Sequence, residues 1–398
     1  MNIIIIVPNP DISTNPTLIN LVRRLADDGV FIDIFQPASQ TFLPLDITSN
    51  KVKLHNYVFS SFRRTINSDM LTGLPGKFTL FNQLKRKKET VVLAVDPRGV
   101  VEAYRFCKWL KVPFLYISFE IFFMDELHLG EHKRLKKKEI EASQHAALTI
   151  IQDEKRGALL AEENNISLGK MFYLPVSPSS SSPVKRSDYL RKKFNIPPDK
   201  TIVLYSGSFC RWSYAEELLK NTKYWPKDFV LVVHMRILKD YEKELIKDYD
   251  VNNVFYSIEQ YNFTDYLKIL SSAHIGLPLY NPRYESPYDG KNIKTIGLSS
   301  GKFSCYMRFG LPTISINQHT YKEILPEYNF GLDIENIDQL PKALSIIKDN
   351  YTSFSEEASR LFKEVLDFEI YYPKLIKKIH SLYNKYPNQS APKEQLMI

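Results

Sequence analysis

Short runs of apolar residues recur along the chain, and between them the apolar positions fall three and four residues apart. In the first half the runs are Ile3–Val7, Val30–Phe35, Val91–Val95, Phe114–Ile117, Leu148–Ile151 and Met171–Leu174. A short run without polar alternation predicts a strand covered on both faces, as in a parallel sheet. Between the first two runs, Pro16 to Asp28 places Leu18, Leu21, Val22 and Leu25 on one helical face, and Gly29 ends it. Strand, helix and strand together predict a mononucleotide-type βαβ unit. From Pro175 the chain turns to Val-Ser-Pro-Ser-Ser-Ser-Ser-Pro-Val-Lys, too rich in Ser and Pro to hold a helix or a strand. The alternation restarts beyond it with Thr201–Tyr205, Phe229–Val233, Asn253–Tyr256, Ile275–Leu279 and Thr313–Ile316, separated by helical stretches such as Tyr214–Leu219, Thr264–Ser271 and Phe303–Phe309. The pattern predicts an α/β chain of two Rossmann-like, doubly wound parallel-sheet domains, 1–178 and 179–366, facing a cleft. Asp367 to Tyr386 carries Phe368, Tyr371, Tyr372, Leu375, Ile376 and Ile379 with lysines between them, the pattern of an amphipathic closing helix over 367–386, and 387–398 is expected to be a flexible tail.

Composition agrees with this picture and narrows it. At 398 residues, 44% hydrophobic and 25% charged, the chain has the make-up of a globular protein large enough for two cores, not of a disordered or fibrous one. No apolar run approaches the roughly 20 residues that cross a bilayer, and Met1 leads directly into a strand without a basic segment or a small-residue cleavage site. Cys107, Cys210 and Cys305 have no paired spacing, so neither a disulfide framework nor a zinc site is expected, and a reducing cytoplasm fits best. The net charge is +8, with basic residues bunched at Arg63-Arg64, Lys85-Arg86-Lys87-Lys88 and His132 to Lys138. Such bunching favours an anionic neighbour, and ordinary solvated helix faces explain it equally well.

In tandem open sheets, ligands bind beyond the C-terminal ends of the strands, so candidate residues should follow strands. The run Leu204-Tyr-Ser-Gly207-Ser208-Phe-Cys-Arg211-Trp212 is a strand entering a small-residue turn before a helix. Gly207 lets the backbone approach a ligand, the helix start offers N–H groups to a phosphate, and the Arg211 fork suits an anion. A plain βα turn with a surface arginine is the alternative. A second small-residue loop, Gly297-Leu-Ser-Ser300-Gly301-Lys302, leads into a short helix ended by Gly310. Neither G-x-G-x-x-G nor G-x-x-x-x-G-K-[ST] occurs, which removes support for a nicotinamide or P-loop site.

The pattern Ser-x-Lys-Phe-x-x-Tyr-x-x-x-Gly-x-Pro-Thr-Ile, from Ser300 to Ile314, resembles the donor-binding segment of GT-B glycosyltransferases close to family 4. Weaker similarities are Tyr205-Ser-Gly207-Ser with Glu217-Leu-Leu219, Ser271-Ser-Ala-His274-Ile-Gly276-Leu-Pro278-Leu, and Glu141 to Ile151. The resemblance implies a hexosyltransferase-type enzyme that moves a sugar from a nucleoside-diphosphate sugar to an acceptor hydroxyl, in glycan or glycolipid synthesis. It implies that Ser300, Gly301 and Lys302 sit at the diphosphate or the sugar, with a solvated lysine at a helix start as the alternative for Lys302, and that a closing helix returns to the first domain; the expected donor site adds Gly207, Ser208, Arg211, Ser257 and Lys291. It further implies retention of configuration, with no metal, cofactor or nucleic-acid partner.

One departure stands out. Many family 4 members carry two glutamates separated by seven residues, and the corresponding positions here are Gly297 and Cys305. The nearest acids are Glu285 and Asp289, in a Pro- and Gly-punctuated loop after Ile275–Leu279 that also holds Lys291; a solvent loop explains that composition equally well. In the first domain Glu120 lies just beyond the Phe114–Ile117 run, and it is expected nearest the reacting centre, with Glu285 as the second candidate carboxylate. A salt-bridged structural carboxylate is the alternative for Glu120. Asp96 also follows a strand and is expected on the acceptor side or as a helix cap, and Asn9 opens the acceptor-side loop Asn9 to Asn15. Asp248-Tyr-Asp250 precedes a strand and is read as turn chemistry, and the eight histidines show no metal-ligand spacing.

The expected acceptor is a glycan or a lipid-linked sugar. In the second case Lys133, Arg134, Lys136, Lys137 and Lys138 would rest on an anionic membrane surface, at about 1 kcal/mol for each basic side chain. The rival readings are a nucleotide-sugar epimerase of the same architecture and a non-catalytic sugar-nucleotide-binding or scaffold protein.

Overall fold

The computed structural model describes residues 1–8, 12–37, 45, 47–59, 68–86, 89–181, 185–249 and 251–385. Asn9, Arg63, Arg64, Lys87, Lys88, Asp250 and the expected tail at 387–398 lie outside the described residues.

The first sheet is built from β1 (Asn2–Ile6), β2 (Phe31–Gln36), β3 (Val52–Asn56), β4 (Thr90–Val95), β5 (Phe114–Ile117), β6 (Leu148–Ile151) and β7 (Met171–Tyr173), all parallel, in the order β3-β2-β1-β4-β5-β6-β7. The second holds β8 (Thr201–Ser206), β9 (Phe229–Met235), β10 (Val254–Ile258), β11 (Ile275–Gly276), β12 (Thr313–Ile316) and β13 (Gly331–Ile334), again all parallel, in the order β10-β9-β8-β11-β12-β13. Each order reverses beside its first strand, and the crevice at such a switch point is where open α/β sheets hold ligands.

The apolar runs are uninterrupted because both faces of each sheet are covered. Ile3 and Ile5 join one cluster with Leu18, Leu21, Val22 and Leu25 of the helix Pro16–Asp27, whereas Ile4 and Ile6 join another on the opposite face with Val100, Ala103 and Leu135. Two strands escape the apolar pattern. β3 is an edge strand whose Lys53 and Leu54 are exposed, and β13 is a four-residue edge. β11 pairs over two residues only, not over the whole Ile275–Leu279 run, because Pro278 has no N–H for the ladder.

The chain passes between the two sheets twice, side by side. Ser177 N–H donates to Thr17 Oγ1 at 2.8 Å on the outward passage. On the return, Phe368 N–H donates to Pro178 O at 3.1 Å and Asp367 Oδ1 accepts from Ser180 N at 3.0 Å. A single π-helical turn, Phe362–Leu366, precedes the final helix Phe368–Lys385. That helix buries Phe368, Tyr372, Leu375 and Ile379 in the cluster of β1 and the first helix, and the Tyr372 hydroxyl donates to Asp28 Oδ2 at 2.6 Å.

Candidate functional site

A cleft of about 630 Å³ opens between the C-terminal ends of the two sheets. Its floor and one wall come from the second unit, whereas the first contributes Ser13, Thr14, Pro16 and Glu120. β8 ends at Ser206, and Gly207 then turns with φ +130°, a backbone conformation that a side chain rarely adopts. The missing Cβ would stand 3.7 Å from Lys302 Cε and 3.8 Å from its Nζ. The β8 turn and the start of the helix Gly301–Arg308 therefore meet at one point of the cleft. Ser208, Ser300 and Gly301 line it beside them.

That helix starts where it does because Ser300 caps it: its Oγ accepts from Phe303 N at 3.1 Å and is also 2.5 Å from the Tyr280 hydroxyl. The free N–H groups of its first turn and the positive end of its dipole then face the cleft. Lys302 adds a cation in unusual surroundings. Its Nζ donates to the Tyr205 hydroxyl at 3.0 Å, and the same hydroxyl donates to Ser208 O at 2.6 Å, which ties the lysine to the turn. The ring centres of Tyr205, Tyr280 and Trp212 lie 4.4, 4.5 and 5.7 Å from Nζ. Among the described residues Lys302 forms no ion pair within 4.0 Å. Burial pulls its ammonium down to about 7. The aromatic faces oppose that effect by on the order of 1–2 kcal/mol. An anion entering this cage would meet a helix start and a lysine that has no counter-charge of its own.

Glu120 faces this point from the other unit. Its backbone N–H and that of Phe119 donate to Asp96 Oδ1 at 3.2 and 2.9 Å, which fixes the turn after β5. Asp96 begins the helix Asp96–Leu110 with φ +57° and spends a side-chain oxygen on that turn; no side-chain cap bond forms at Val95, and Asp96 is not among the cleft-lining residues. The Glu120 carboxylate accepts from Asn292 Nδ2 of the second unit. Asn292 is itself gripped by the buried Arg156.

The remaining candidates fall elsewhere. The Arg211 side chain is exposed at the rim, 4.0 Å from the equally exposed Glu285, and neither lines the cleft. Asp289 does line it, with Oδ1 accepting from the N–H groups of Glu285 and Ser286 at 2.9 and 2.8 Å. Ser257 is fully buried behind the wall, its Oγ 3.2 Å from His234 Nδ1 and 3.4 Å from Lys193 Nζ. Lys291 is an interdomain strut: its ammonium pairs with Asp125 and its N–H donates to Glu126 Oε1 at 2.9 Å. Asp248 closes the helix Asp240–Asp248.

The basic run needs a correction at Lys136. This residue is fully buried, with Nζ 3.3 Å from Glu139 Oε2 and 2.5 Å from Asn164 Oδ1, because the spacing from 136 to 139 turns both side chains inward on the helix Gly130–Gln144. Lys133, Arg134, Lys137 and Lys138 stay exposed.

At Gly297 (φ +48°) a Cβ would sit 2.5 Å from Asp153 Oδ2. Cys305 lines the cleft and is buried, with its thiol pushed up to about 12. Sequence reasoning missed the cage residues Tyr205, Tyr280 and Trp212, as well as Arg156 and Asn292. A tyrosine inside an apolar strand reads as core, and no local motif marks the other two. Among the described residues no group of three or more His, Cys, Asp and Glu side chains is placed to hold a metal ion, and no helix is long and apolar enough to cross a membrane.

No protein-family model matches the sequence, and no curated protein matches it either. Solved structures do match along nearly its whole length. Sucrose-phosphate synthase from Thermosynechococcus elongatus superposes with a TM-score of 0.73 at 14% identity, over 97% of this chain and 100% of that one. HepE from Anabaena, solved in complex with UDP-glucose, gives 0.71 at 10% identity, over 96% and 100%. WaaG, a glycosyltransferase involved in lipopolysaccharide biosynthesis, gives 0.64 at 13% identity, over 95% and 99%. At such identities the likeness is one of architecture, and the chain has the GT-B fold, two all-parallel sheets facing a cleft, that these glycosyltransferases share.

Proposed function

We propose that the chain is a glycosyltransferase that takes a sugar from a nucleoside-diphosphate sugar and passes it to an acceptor hydroxyl, with retention of configuration. The observation that carries the reading is the meeting of the Gly207 turn with Lys302 and its helix start, within 3.8 Å, in a cleft that a carboxylate enters from the opposite unit. In this reading the diphosphate lies across the turn, against the N–H groups of the helix Gly301–Arg308 and the Lys302 ammonium. These groups stabilise the negative charge that grows on the leaving diphosphate as the glycosidic bond lengthens. The phosphates in turn restore a full charge to Lys302, which burial disfavours. Glu120 faces the sugar and either takes the acceptor proton or balances positive charge on the ring. Asp289, which lines the cleft, replaces Glu285 in this reading as the second carboxylate within reach of sugar hydroxyls. Arg211 and Lys291 serve the rim and the interdomain contact.

The test begins with a thermal-shift series of nucleoside diphosphates and their sugars, with UDP and UDP-glucose first because HepE is solved with UDP-glucose. A stabilising diphosphate whose effect disappears in Lys302→Met supports the reading; a full series without effect removes it. The anomeric configuration of the product, read by NMR, then decides retention.

A lipid-linked acceptor is favoured by one further observation. Lys133, Arg134, Lys137 and Lys138 are exposed on a helix packed against the helix Asp96–Leu110, which carries Trp109 at 85% exposure beside Lys108. A solvent-facing indole on a helix that packs against a basic one suits the interface of an anionic membrane.

A further inference from the structure

Glu120 reaches the cleft from the first unit, but its Oε2 accepts a hydrogen bond from the second, from Asn292 Nδ2. An amide can present either half, and here the choice is forced. Asn292 Oδ1 is claimed from the far side by the N–H of Ile121 at 3.0 Å and by Arg156 Nη2 at 3.1 Å, so the NH₂ group must face Glu120. Its other proton goes to Tyr288 O at 3.1 Å.

Arg156 holds this arrangement together. It is 1% exposed, and its guanidinium binds oxygens of both units. Nε donates to Gln152 Oε1 at 2.9 Å and Nη2 to Phe119 O at 2.8 Å, whereas Nη1 crosses to Thr295 O at 2.9 Å and Asn292 O at 3.4 Å. None of these acceptors is a carboxylate. A buried guanidinium bound only to neutral oxygens keeps an unneutralised charge, and the anions that balance it at longer range are Glu120, Asp153 and Asp96. Arg156 thus orients the amide that touches Glu120 and places a cation within electrostatic reach of it.

We propose that Arg156 and Asn292 form an interdomain relay that positions the Glu120 carboxylate only when the two units are docked. The proposal rests on the reading of Glu120 as the reacting carboxylate. Neither relay residue lines the cleft, so both are positioning residues. Separation of the units beyond hydrogen-bond reach would strip Glu120 of its amide donor, while Arg156, on the same unit as Glu120, would lose the acceptors Thr295 O and Asn292 O that hold its guanidinium. The acid is thereby set by closure.

Among the described residues, the groups that act on Glu120 include Asp96 at the start of the helix Asp96–Leu110, Arg156 in the helix Glu154–Asn164, and Tyr280 and Tyr288 from the second unit. Asp96 opposes ionisation of Glu120; Arg156 and the Asn292 amide favour it. Loss of the amide therefore raises the pH at which Glu120 takes up a proton.

The experiment uses the full chain with ¹³C-carboxyl glutamate, the Glu120 resonance being assigned by its absence in Glu120→Gln. Titration of wild type, Asn292→Ala and Arg156→Lys is expected to show the Glu120 midpoint raised by about one pH unit in Asn292→Ala and moved the same way in Arg156→Lys. Stabilisation by UDP should stay within about twofold in affinity, and kcat for UDP-glucose should fall with KM unchanged. An unmoved midpoint in Asn292→Ala overturns the relay, as does loss of UDP stabilisation in step with the shift, which would mark a general collapse of the cleft. Should Arg156→Lys not fold, Asn292→Ala decides alone. If no nucleoside diphosphate stabilises the wild type, the donor reading falls, while the midpoints still decide the relay.

Discussion

The Lys302 ammonium and the Tyr205 hydroxyl lie 3.0 Å apart, and through that hydroxyl, which also binds Ser208 O, the lysine is joined to the turn that follows β8. An ordinary lysine titrates at 10.5, and burial takes this one down to about 7. Between those pH values the unfolded chain holds more protons than the folded one, so stability rises with pH from 7 to 10.5 and the full penalty is present below 7. Replacement of Lys302 by methionine removes the penalty and keeps the packing. The variant should be more stable than wild type at pH 6.5 without ligand, by about 1–3 kcal/mol, and should lose nearly all stabilisation by a diphosphate. Denaturant titrations at pH 6.5 and 9, with and without UDP, read both effects; a variant that still responds to UDP would remove Lys302 from the phosphate site.

Gly297 leaves no room for a side chain, so a glutamate cannot simply be introduced there. The residue sits at φ +48°, and a Cβ there would come within 2.5 Å of Asp153 Oδ2 and 3.2 Å of Thr320 Oγ1. Asp153 has two duties to lose: Oδ1 accepts from Arg156 N at 2.8 Å, and Oδ2 accepts from Leu298 N at 3.1 Å across the units. Gly297→Ala should cost about 2–3 kcal/mol by urea denaturation, from left-handed backbone strain and the displaced carboxylate. Gly297→Glu should cost more and gain no activity. A neutral alanine would show that the loop moves aside at little cost.

What could be read in the sequence follows the reach of each signal. Ile3–Val7 announces a two-sided strand because each residue must satisfy one of two cores, whereas β3, with Lys53 and Leu54 exposed at the sheet edge, has no core to satisfy and no pattern to show. Gly207 and Lys302 were legible because a small-residue turn after a strand and a capped helix start are local features. Lys136 looks like its solvated neighbours until the partner Asn164, 28 residues away, turns it inward. Arg156 and Asn292 are 136 residues apart and carry no motif, so only the assembled fold brings them together.

Glu120 yields the sharpest activity prediction. Its carboxylate lines the cleft and is oriented by Asn292 and by the Asp96-bound turn. Glutamine keeps the size and one acceptor oxygen but neither charge nor basicity. Glu120→Gln should lower kcat by about 10²–10⁴ with diphosphate affinity within a few-fold of wild type. Turnover and calorimetric titration with UDP separate the two quantities; a kcat within threefold of wild type would assign the chemistry to another group, with Asp289 next.

Trp109, on the helix packed against the basic one, offers a reporter, since it is the most exposed large hydrophobic residue among those described. Vesicles with 30% anionic lipid should shift its emission to the blue. The shift should weaken between about 0.05 and 0.3 M salt, as the Debye length shortens. Lys133→Glu with Lys137→Glu should abolish it without altering stability, both side chains being solvated. Equal binding to neutral vesicles would show that charge does not direct the contact.

Acid should destabilise the second unit through two histidines. His234 is stacked 5.7 Å from Tyr266, and burial lowers it from 6.5 to about 4. His274 accepts from Ile202 N at 3.1 Å, and burial, then Arg186 and Arg191, lower it to about 4 as well. In each case the unfolded chain binds a proton between pH 6.5 and 4 that the folded one refuses, so stability falls as pH drops through that window and these groups contribute no slope above it. Each should cost on the order of 2–3 kcal/mol across the window. His274→Gln keeps an acceptor for the Ile202 N–H and removes one titration, so its loss of stability between pH 6.5 and 4.5 should be clearly shallower than that of wild type. Parallel curves would mean that His274 takes up its proton in the folded protein as readily as in the unfolded chain, and that water reaches the ring behind β8.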